Sequence, residues 1–462
     1  MSQLEVLPEP IKAMNEARYS RFHVTLIFII SIGAFVDLYV IGELGASTFS
    51  IIPYFLYTTS AFSYTAAMLF AGSALGVIFI GPLVDKFGRR AMIIIPLLLM
   101  TIFSISSIIS ATPLELNVSR FMLGFATGTY YPSAMAMIGE FMPTKYRGRG
   151  ISYIWVSFTI GGTVAYLFGY FAYILIGPVP YEWRIVLGSV LVPSVVGLAL
   201  SFKLPESTRW AIEKKKYSIA AKSVKLATGR MFTDKDMETA RNDLFQPKME
   251  KNIRKNYLTY ALIIIPITFA VFSFNLITGA LATLNPTILS ALGIQKASTY
   301  LFSALFLFVQ VISTLVIART IDTVGRLRWG VIGGGLETIF SFAVILIYHN
   351  PVALIGIFSG IFFFSYIAIP VMNNAGSELF PTEFRGTSSG VVMFGNRIAS
   401  VVGLLITPIL FLGHDVFRLF AVYGIIGLFG TVMVLLGLRG RKIDKRSLEE
   451  IQFEMMNKKN NE

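Results

Sequence analysis

Apolar windows of membrane-crossing length recur along this chain, each parted from the next by a short polar or glycine-containing stretch. They lie near residues 24–48, 61–84, 91–111, 114–139, 151–177 and 184–203, and again near 256–284, 297–320, 329–348, 352–377, 387–411 and 415–437. A helix needs about 20 apolar residues to cross a hydrocarbon layer ~30 Å thick, so each window predicts one crossing. Between the sixth and seventh windows the pattern changes. Residues 205–255 are polar and carry mixed charge at helix-compatible spacing, which predicts short amphipathic helices. The expected layout is an N-terminal segment (1–23), a six-helix domain (24–204), a linker (205–255), a second six-helix domain (256–438) and a tail (439–462).

Composition makes the membrane reading firm. Of 462 residues, 55% are hydrophobic and 14% charged, a balance that excludes a soluble globular domain. The net charge of +13 would point to nucleic acid in a soluble protein, but here the cations sit in the loops. Lys86, Arg89, Arg90, Lys145, Arg147, Arg149, Arg319, Arg326, Arg328, Arg385, Arg439 and Arg441 fall in alternate connections, and the intervening ones hold almost none. By the positive-inside rule both termini and the linker are cytoplasmic in a multi-pass protein of the cell membrane, with lipid and not nucleic acid as its partner. The chain has no cysteine, which excludes disulfides and thiolate chemistry. Its three histidines lack metal-ligand spacing, so no metal or cofactor is expected. Neither a catalytic cluster nor a filter-like element stands out, which argues against an enzyme and against a channel.

The two halves repeat each other. GPLVDKFGRR (81–90) follows the second window and ARTIDTVGRLR (318–328) the eighth; EFMPTKYRG (140–148) follows the fourth and ELFPTEFRG (378–386) the tenth. Asp85 precedes Glu140 by 55 residues and Asp322 precedes Glu378 by 56, so one six-helix module occurs twice in the same orientation. Such a pair, related by an axis along the membrane normal, is a transport architecture with its substrate site near the midplane between the modules.

These motifs resemble the major facilitator superfamily, in its sugar-porter branch. Gly81, Leu83, Asp85, Gly88, Arg89 and Arg90 match its loop signature, and Asp322, Gly325 and Arg326 form a weaker copy. Arg120, Gly124 and Gly128 match RxxxGxxxG; Glu140, Pro143, Arg147 and Gly148 match ExxPxxxRG; Pro205, Glu206, Ser207, Arg209 and Trp210 match PESxRW. The resemblance implies an all-α membrane protein of twelve transmembrane helices in two pseudo-symmetric six-helix domains. It further implies alternating access by a monomer, with protons and a small molecule as partners. It also implies a cytoplasmic charge network, placed on Asp85, Arg89, Glu140, Arg147, Glu206 and Arg209 and on Asp322, Arg326, Glu378 and Arg385.

Ionisable groups within apolar helices are costly, so each one is a functional candidate. Asp37, Arg120, Glu337 and Arg397 form that short list, with Glu43 near the outer rim. In sugar porters a helix-1 aspartate faces the helix-4 arginine and its protonation is linked to transport, which maps proton coupling onto Asp37 and Arg120. Recognition departs from that branch. The paired amides of helix 7 are missing, Asn373 and Asn374 stand where a tryptophan is usual on helix 10, and Asn396 is followed by Arg397 where an aromatic is usual on helix 11. A guanidinium fork suits a carboxylate or phosphate. The expected substrate is therefore a small anionic metabolite such as a carboxylate or sugar acid, taken up with protons and held by Arg397, Asn396, Asn373, Asn374, Asn275, Tyr39 and Tyr131. A neutral sugar, efflux of amphipathic compounds and uncoupled uniport are the alternatives.

Overall fold

A computed structural model describes residues 8–177, 179–244, 257–379 and 382–438, and among these every regular element is helical. In the first half, α1 (Glu9–Asn15) is followed by α2 (Arg21–Ala46), α3 (Thr48–Phe55), α4 (Thr59–Phe87), α5 (Ala91–Ile109), α6 (Pro113–Phe141) and α7 (Arg147–Ile176). Next come α8 (Glu182–Gly188) and α9 (Leu191–Ser201), which together form one crossing interrupted at Ser189 and Val190. The linker supplies α10 (Thr208–Glu213), α11 (Tyr217–Thr228) and α12 (Asp234–Leu244). The second half holds α13 (Tyr257–Ala291), α14 (Lys296–Val324), α15 (Arg326–Ile347), α16 (Pro351–Glu378), α17 (Thr382–Leu410) and α18 (Val416–Leu438). The chain is thus an all-helical integral membrane protein with the repeated arrangement that its sequence predicts.

Eleven spans among the described residues are long and apolar enough to cross a membrane. The remaining long helix, α6, carries Glu115, Arg120 and Glu140 among glycines, serines and tyrosines. Its polar make-up is tolerated because α4 and α5 pack along it, and a helix shielded from lipid needs no apolar exterior. With α6 counted, and α8 and α9 taken as one, each half has six long helical segments among the described residues.

Packing repeats as the sequence does. In the first half α2 lies against α7, α4 against α6, α5 against α6, and α5 and α2 against α9. The second half answers with α13 on α17, α14 on α16, α15 on α16, and α15 and α13 on α18. The halves meet along α7 with α14 and along α4 with α17, two seams that the pseudo-two-fold exchanges, and α2 meets α13 between them. The loop signature repeats in its backbone as well. Gly88 and Gly325, which end α4 and α14, have φ of +90° and +99°, a region that side-chain-bearing residues avoid.

On the linker side, α1 packs on α11, α12 and the end of α6. The chain then enters α2 through a capping box, in which the Ser20 amide donates to Nδ1 of His23 at 3.1 Å. This explains one histidine without a ligand. Along α4 and α6 the small residues of the two helices interlock, and a methyl group at Gly124 would fall on the Leu69 carbonyl, as one at Gly72 would on that of Phe121. A close seam of this kind tolerates no added carbon. We expect Gly124→Ala to destabilise the protein by about 1–3 kcal/mol. Gly139→Ala, where a methyl meets open space on the same helix, should be neutral or slightly stabilising. Thermal unfolding in detergent would show whether the two variants separate.

Candidate functional site

Two acids on α2 and two arginines on other helices define the buried electrostatics. Asp37 and Glu43 are six residues apart, which on a helix means about 9 Å along the axis and about 120° around it. They therefore address different neighbours. Nη1 of Arg120 on α6 lies 3.2 Å from Oε1 of Glu43 and donates to the Val40 carbonyl at 2.9 Å. Asp37 faces the opposite half of the molecule, where Nη2 of Arg397 on α17 donates to Oδ2 at 2.7 Å. Both acids and Arg120 are buried, and the Arg397 side chain retains 9% exposure. The Asp37–Arg120 contact expected from the sequence is thus replaced by two pairs. Arg120 is level with Val40 and Glu43, whereas Asp37 sits about 9 Å further back along α2, level with Tyr131 of α6.

The difference has a consequence for charge. Glu43–Arg120 ties two helices of the same half, whereas Asp37–Arg397 bridges the two halves. Asp37 Oδ1 and Glu43 Oε2 have no hydrogen-bond partner, and neither do Nε and Nη2 of Arg120. Tyr131 and Tyr366 lie close enough to Asp37 and Arg397 to interact with both charges. Glu337 is buried on α15 facing Ser365 of α16, away from these pairs.

Arg397 also lines a cavity between the halves. The wall from the first half holds Leu38 and Ile41 of α2, Phe70 of α4, Tyr131 of α6, and Trp155 and Phe158 of α7. Tyr131, Trp155 and Phe158 form an aromatic cluster with ring centroids 5.4–6.1 Å apart. The opposite wall is more polar, with Asn275 and Thr278 of α13, Gln310 of α14, Tyr366 and Asn373 of α16, and Asn396, Arg397 and Ser400 of α17. Asn275 is already engaged: its Nδ2 donates to the Asn396 carbonyl at 2.8 Å and to Ser400 Oγ at 2.6 Å, which fastens α13 to α17.

Of the seven residues expected to hold substrate, Arg397, Asn396, Asn373, Asn275 and Tyr131 come together at this cavity. Two do not. The Tyr39 hydroxyl is paired with Ser189 Oγ at 2.7 Å within the first half, because its position on α2 faces the α8–α9 junction. Asn374, one residue past Asn373, is turned about 100° from it and is absent from the lining. Gln310, Trp155, Tyr366 and Ser400 belong to the lining and were not singled out from the sequence.

At the ends of the bundle the halves are treated differently. At the end remote from the linker they are bolted together: the Phe49 amide donates to the Tyr300 hydroxyl at 3.2 Å, and the Tyr166 hydroxyl donates to the Ala282 carbonyl at 2.6 Å. The rings of Phe49 and Tyr300 are 5.3 Å apart, and Lys296 Nζ lies 5.2 Å from the Phe49 ring centre. At the linker end, Glu206 Oε1 accepts from the amides of Arg89, Arg90 and Ser207 at 2.8–3.1 Å. The absence of a side chain at Gly88 makes room for it, since a Cβ there would strike the carboxylate. Arg89 Nε lies 3.5 Å from Glu140, which also accepts from the Ser207 hydroxyl. Arg209 interacts electrostatically with Glu140, and Arg147 donates to Asn15 at 3.0 Å.

These contacts join α4, α6, α10 and the N-terminal segment within the first half. The Asp85 side chain is exposed, while its carbonyl accepts from Trp210 Nε1 at 3.0 Å. In the second half Arg326 begins α15, and the side chains of Asp322, Glu378 and Arg385 lie outside the described residues.

The family model described as "Sugar (and other) transporter" matches residues 26–454, nearly the whole chain. The chain is a member of the sugar transporter family. It is therefore a transporter and not an enzyme. Curated relatives include the glucose transporter GlcP of Staphylococcus epidermidis, 28% identical over 398 residues that cover 83% of this chain and 86% of the relative. Another is the gentisate transporter of Corynebacterium glutamicum, 26% identical over 338 residues, covering 72% and 69% respectively. Among solved structures the proton:xylose symporter XylE of E. coli superposes with a TM-score of 0.73 at 17% identity, covering 94% of this chain and 99% of that one. The fold of this transporter is thus that of the major facilitator superfamily.

The remote-end bolt gives a direct test of alternating access. Tyr300→Phe removes the oxygen that receives the Phe49 amide, a bond worth about 0.5–1.5 kcal/mol net. We expect it to shift the population toward opening at that end by roughly 2–10-fold. A chain without native cysteine makes the measurement clean. A single cysteine placed beneath the bolt should react faster with an impermeant maleimide in Tyr300→Phe than in wild type, and an unchanged rate would show that the bond does not hold this end closed.

Proposed function

We propose that this transporter imports a small organic anion together with a proton, and that Asp37 and Arg397 couple the two. The reading rests on one observation, the ion pair that joins α2 to α17 across the halves at the cavity wall. In the empty carrier Asp37 and Arg397 neutralise each other. When Asp37 takes a proton, Arg397 loses its counterion, and a substrate carboxylate supplies the replacement. The site is electrically neutral in both states, as a group crossing low dielectric must nearly be.

A neutral sugar offers no such exchange. With Asp37 protonated it would leave Arg397 uncompensated, and with Asp37 ionised it would carry no proton. Glu43 and Arg120 stay paired throughout and hold α2 to α6 as one body. The contacts of Glu206, Arg89, Glu140 and Ser207 brace the cytoplasmic end of that body. A glucose transporter among the relatives favours the second reading, a neutral-sugar symporter, whereas a gentisate transporter favours the first.

The test uses proteoliposomes with internal pH recorded and membrane potential clamped. Addition of membrane-impermeant organic monoacids should acidify the interior at a rate that is insensitive to potential. Acidification by neutral sugars alone, or acid uptake with no proton movement, would overturn the proposal.

A further inference from the structure

Four polar atoms at the cavity have no partner, and they are divided between its walls. From the first half come the Tyr131 hydroxyl and the Trp155 indole N–H; from the second come amide oxygens of Gln310 and Asn373. Tyr131 and Gln310 are each 1% exposed, so water in bulk does not serve them. Buried polar groups left unpaired cost free energy, and native structures rarely keep several of them together without a ligand to satisfy them.

The chemistry of the four narrows the ligand. An indole N–H only donates, an amide oxygen only accepts, and a phenol does either. A carboxylate accepts and cannot donate, so it satisfies Arg397 and the indole but not the amide oxygens. A hydroxyl both donates and accepts, and several hydroxyls on one small carbon chain can meet all four atoms. Resting on the anionic reading of Arg397, we infer that the substrate is a polyhydroxylated monocarboxylate of sugar-acid type. Its carboxylate lies on Arg397 and its hydroxyls span from Tyr131 and Trp155 to Gln310 and Asn373.

The span matters for transport as well as for selection. Hydroxyl contacts to both walls form together only when the halves close on the ligand. An acid without hydroxyls can pair with Arg397 yet leaves the amide oxygens of Gln310 and Asn373 unpaired, a mismatch that sites built for hydroxyls reject strongly.

Binding to the purified protein in nanodiscs, followed by titration calorimetry, tests the inference. The probes are D-gluconate, D-glucuronate and D-galacturonate, the neutral sugars D-glucose and D-galactose, and hexanoate as an acid without hydroxyls. At least one hydroxy acid should bind tenfold or more tightly than both hexanoate and its neutral counterpart. Tyr131→Phe and Gln310→Leu should each lower the hydroxy-acid to hexanoate affinity ratio at least fivefold, a ratio that partial misfolding does not move. Hexanoate binding as tightly as the hydroxy acids would overturn the inference and leave the anionic reading standing. Neutral sugars binding as tightly as their acids would overturn the anionic reading itself. Ratios unchanged in both variants, or no binding by any hydroxy acid, would also overturn the inference.

Discussion

Proteoliposomes carrying Asp37→Asn are expected to exchange labelled substrate across the membrane but to lose uphill accumulation by about 100-fold. Asparagine fills nearly the same volume and cannot ionise, so Arg397 loses its counterion whenever the cavity is empty. An uncompensated arginine within the membrane costs about 2.5–3.5 kcal/mol, which is the barrier now added to the return of the empty carrier. Exchange never requires that step, because substrate carboxylate neutralises Arg397 in both directions. The measurement is counterflow beside net uptake in the same vesicles under an inward proton gradient. Uphill accumulation within threefold of wild type would remove Asp37 from the coupling step.

The converse change should be harsher. Arg397→Gln leaves Asp37, which is fully buried, without its cation, and breaking a buried pair from one side costs about 3–5 kcal/mol. Part of that cost is relieved if Asp37 stays protonated, and then no proton is released when substrate leaves. We expect kcat/KM for acid substrates to fall by at least about 100-fold, with thermal stability lowered. Asp37→Asn combined with Arg397→Gln replaces the charged pair by two amides and should recover most of the lost stability but none of the coupled transport. A double variant no more stable than Arg397→Gln alone would mean that the two side chains are not energetically paired, and preserved preference for acids over sugars would take Arg397 out of recognition.

Much of the fold was legible because a membrane crossing leaves a long, simple signal. Eleven of the apolar windows coincide with helices long and apolar enough to cross a membrane, and the twelfth coincides with α6, the least apolar long helix, whose polar residues are spaced among apolar ones. The interruption at Ser189 and Val190 was not foreseen, although Gly188 precedes it and Pro193, four residues past Ser189, cannot donate to the Ser189 carbonyl. The site was legible only in part. Depth along a helix can be counted from its start, so Asp37, Arg120 and Arg397 could all be placed well inside the membrane. The register of one helix against the next, and the angle about each, depend on how helices lean on one another, and together they assigned Asp37 to Arg397 and Glu43 to Arg120. Gln310 could have been found, because a lone amide within FLFVQVIS is as conspicuous in lipid as a charge. Trp155 and Tyr366 could not, since an aromatic facing a cavity and one facing a neighbouring helix look alike in sequence.

Because α2 bears one acid turned inward to its own half and another turned across to the second half, stiffness and switching are assigned to different side chains of one rod. Loss of the Asp37–Arg397 pair, as in Asp37→Asn, would then loosen the joint between two bodies without softening either. Hydrogen exchange should register this as faster labelling along α7 with α14 and α4 with α17, while amides deep in the contact of α2 with α6 keep their protection. In a transporter built this way the joint between the halves can give while each half keeps its own packing.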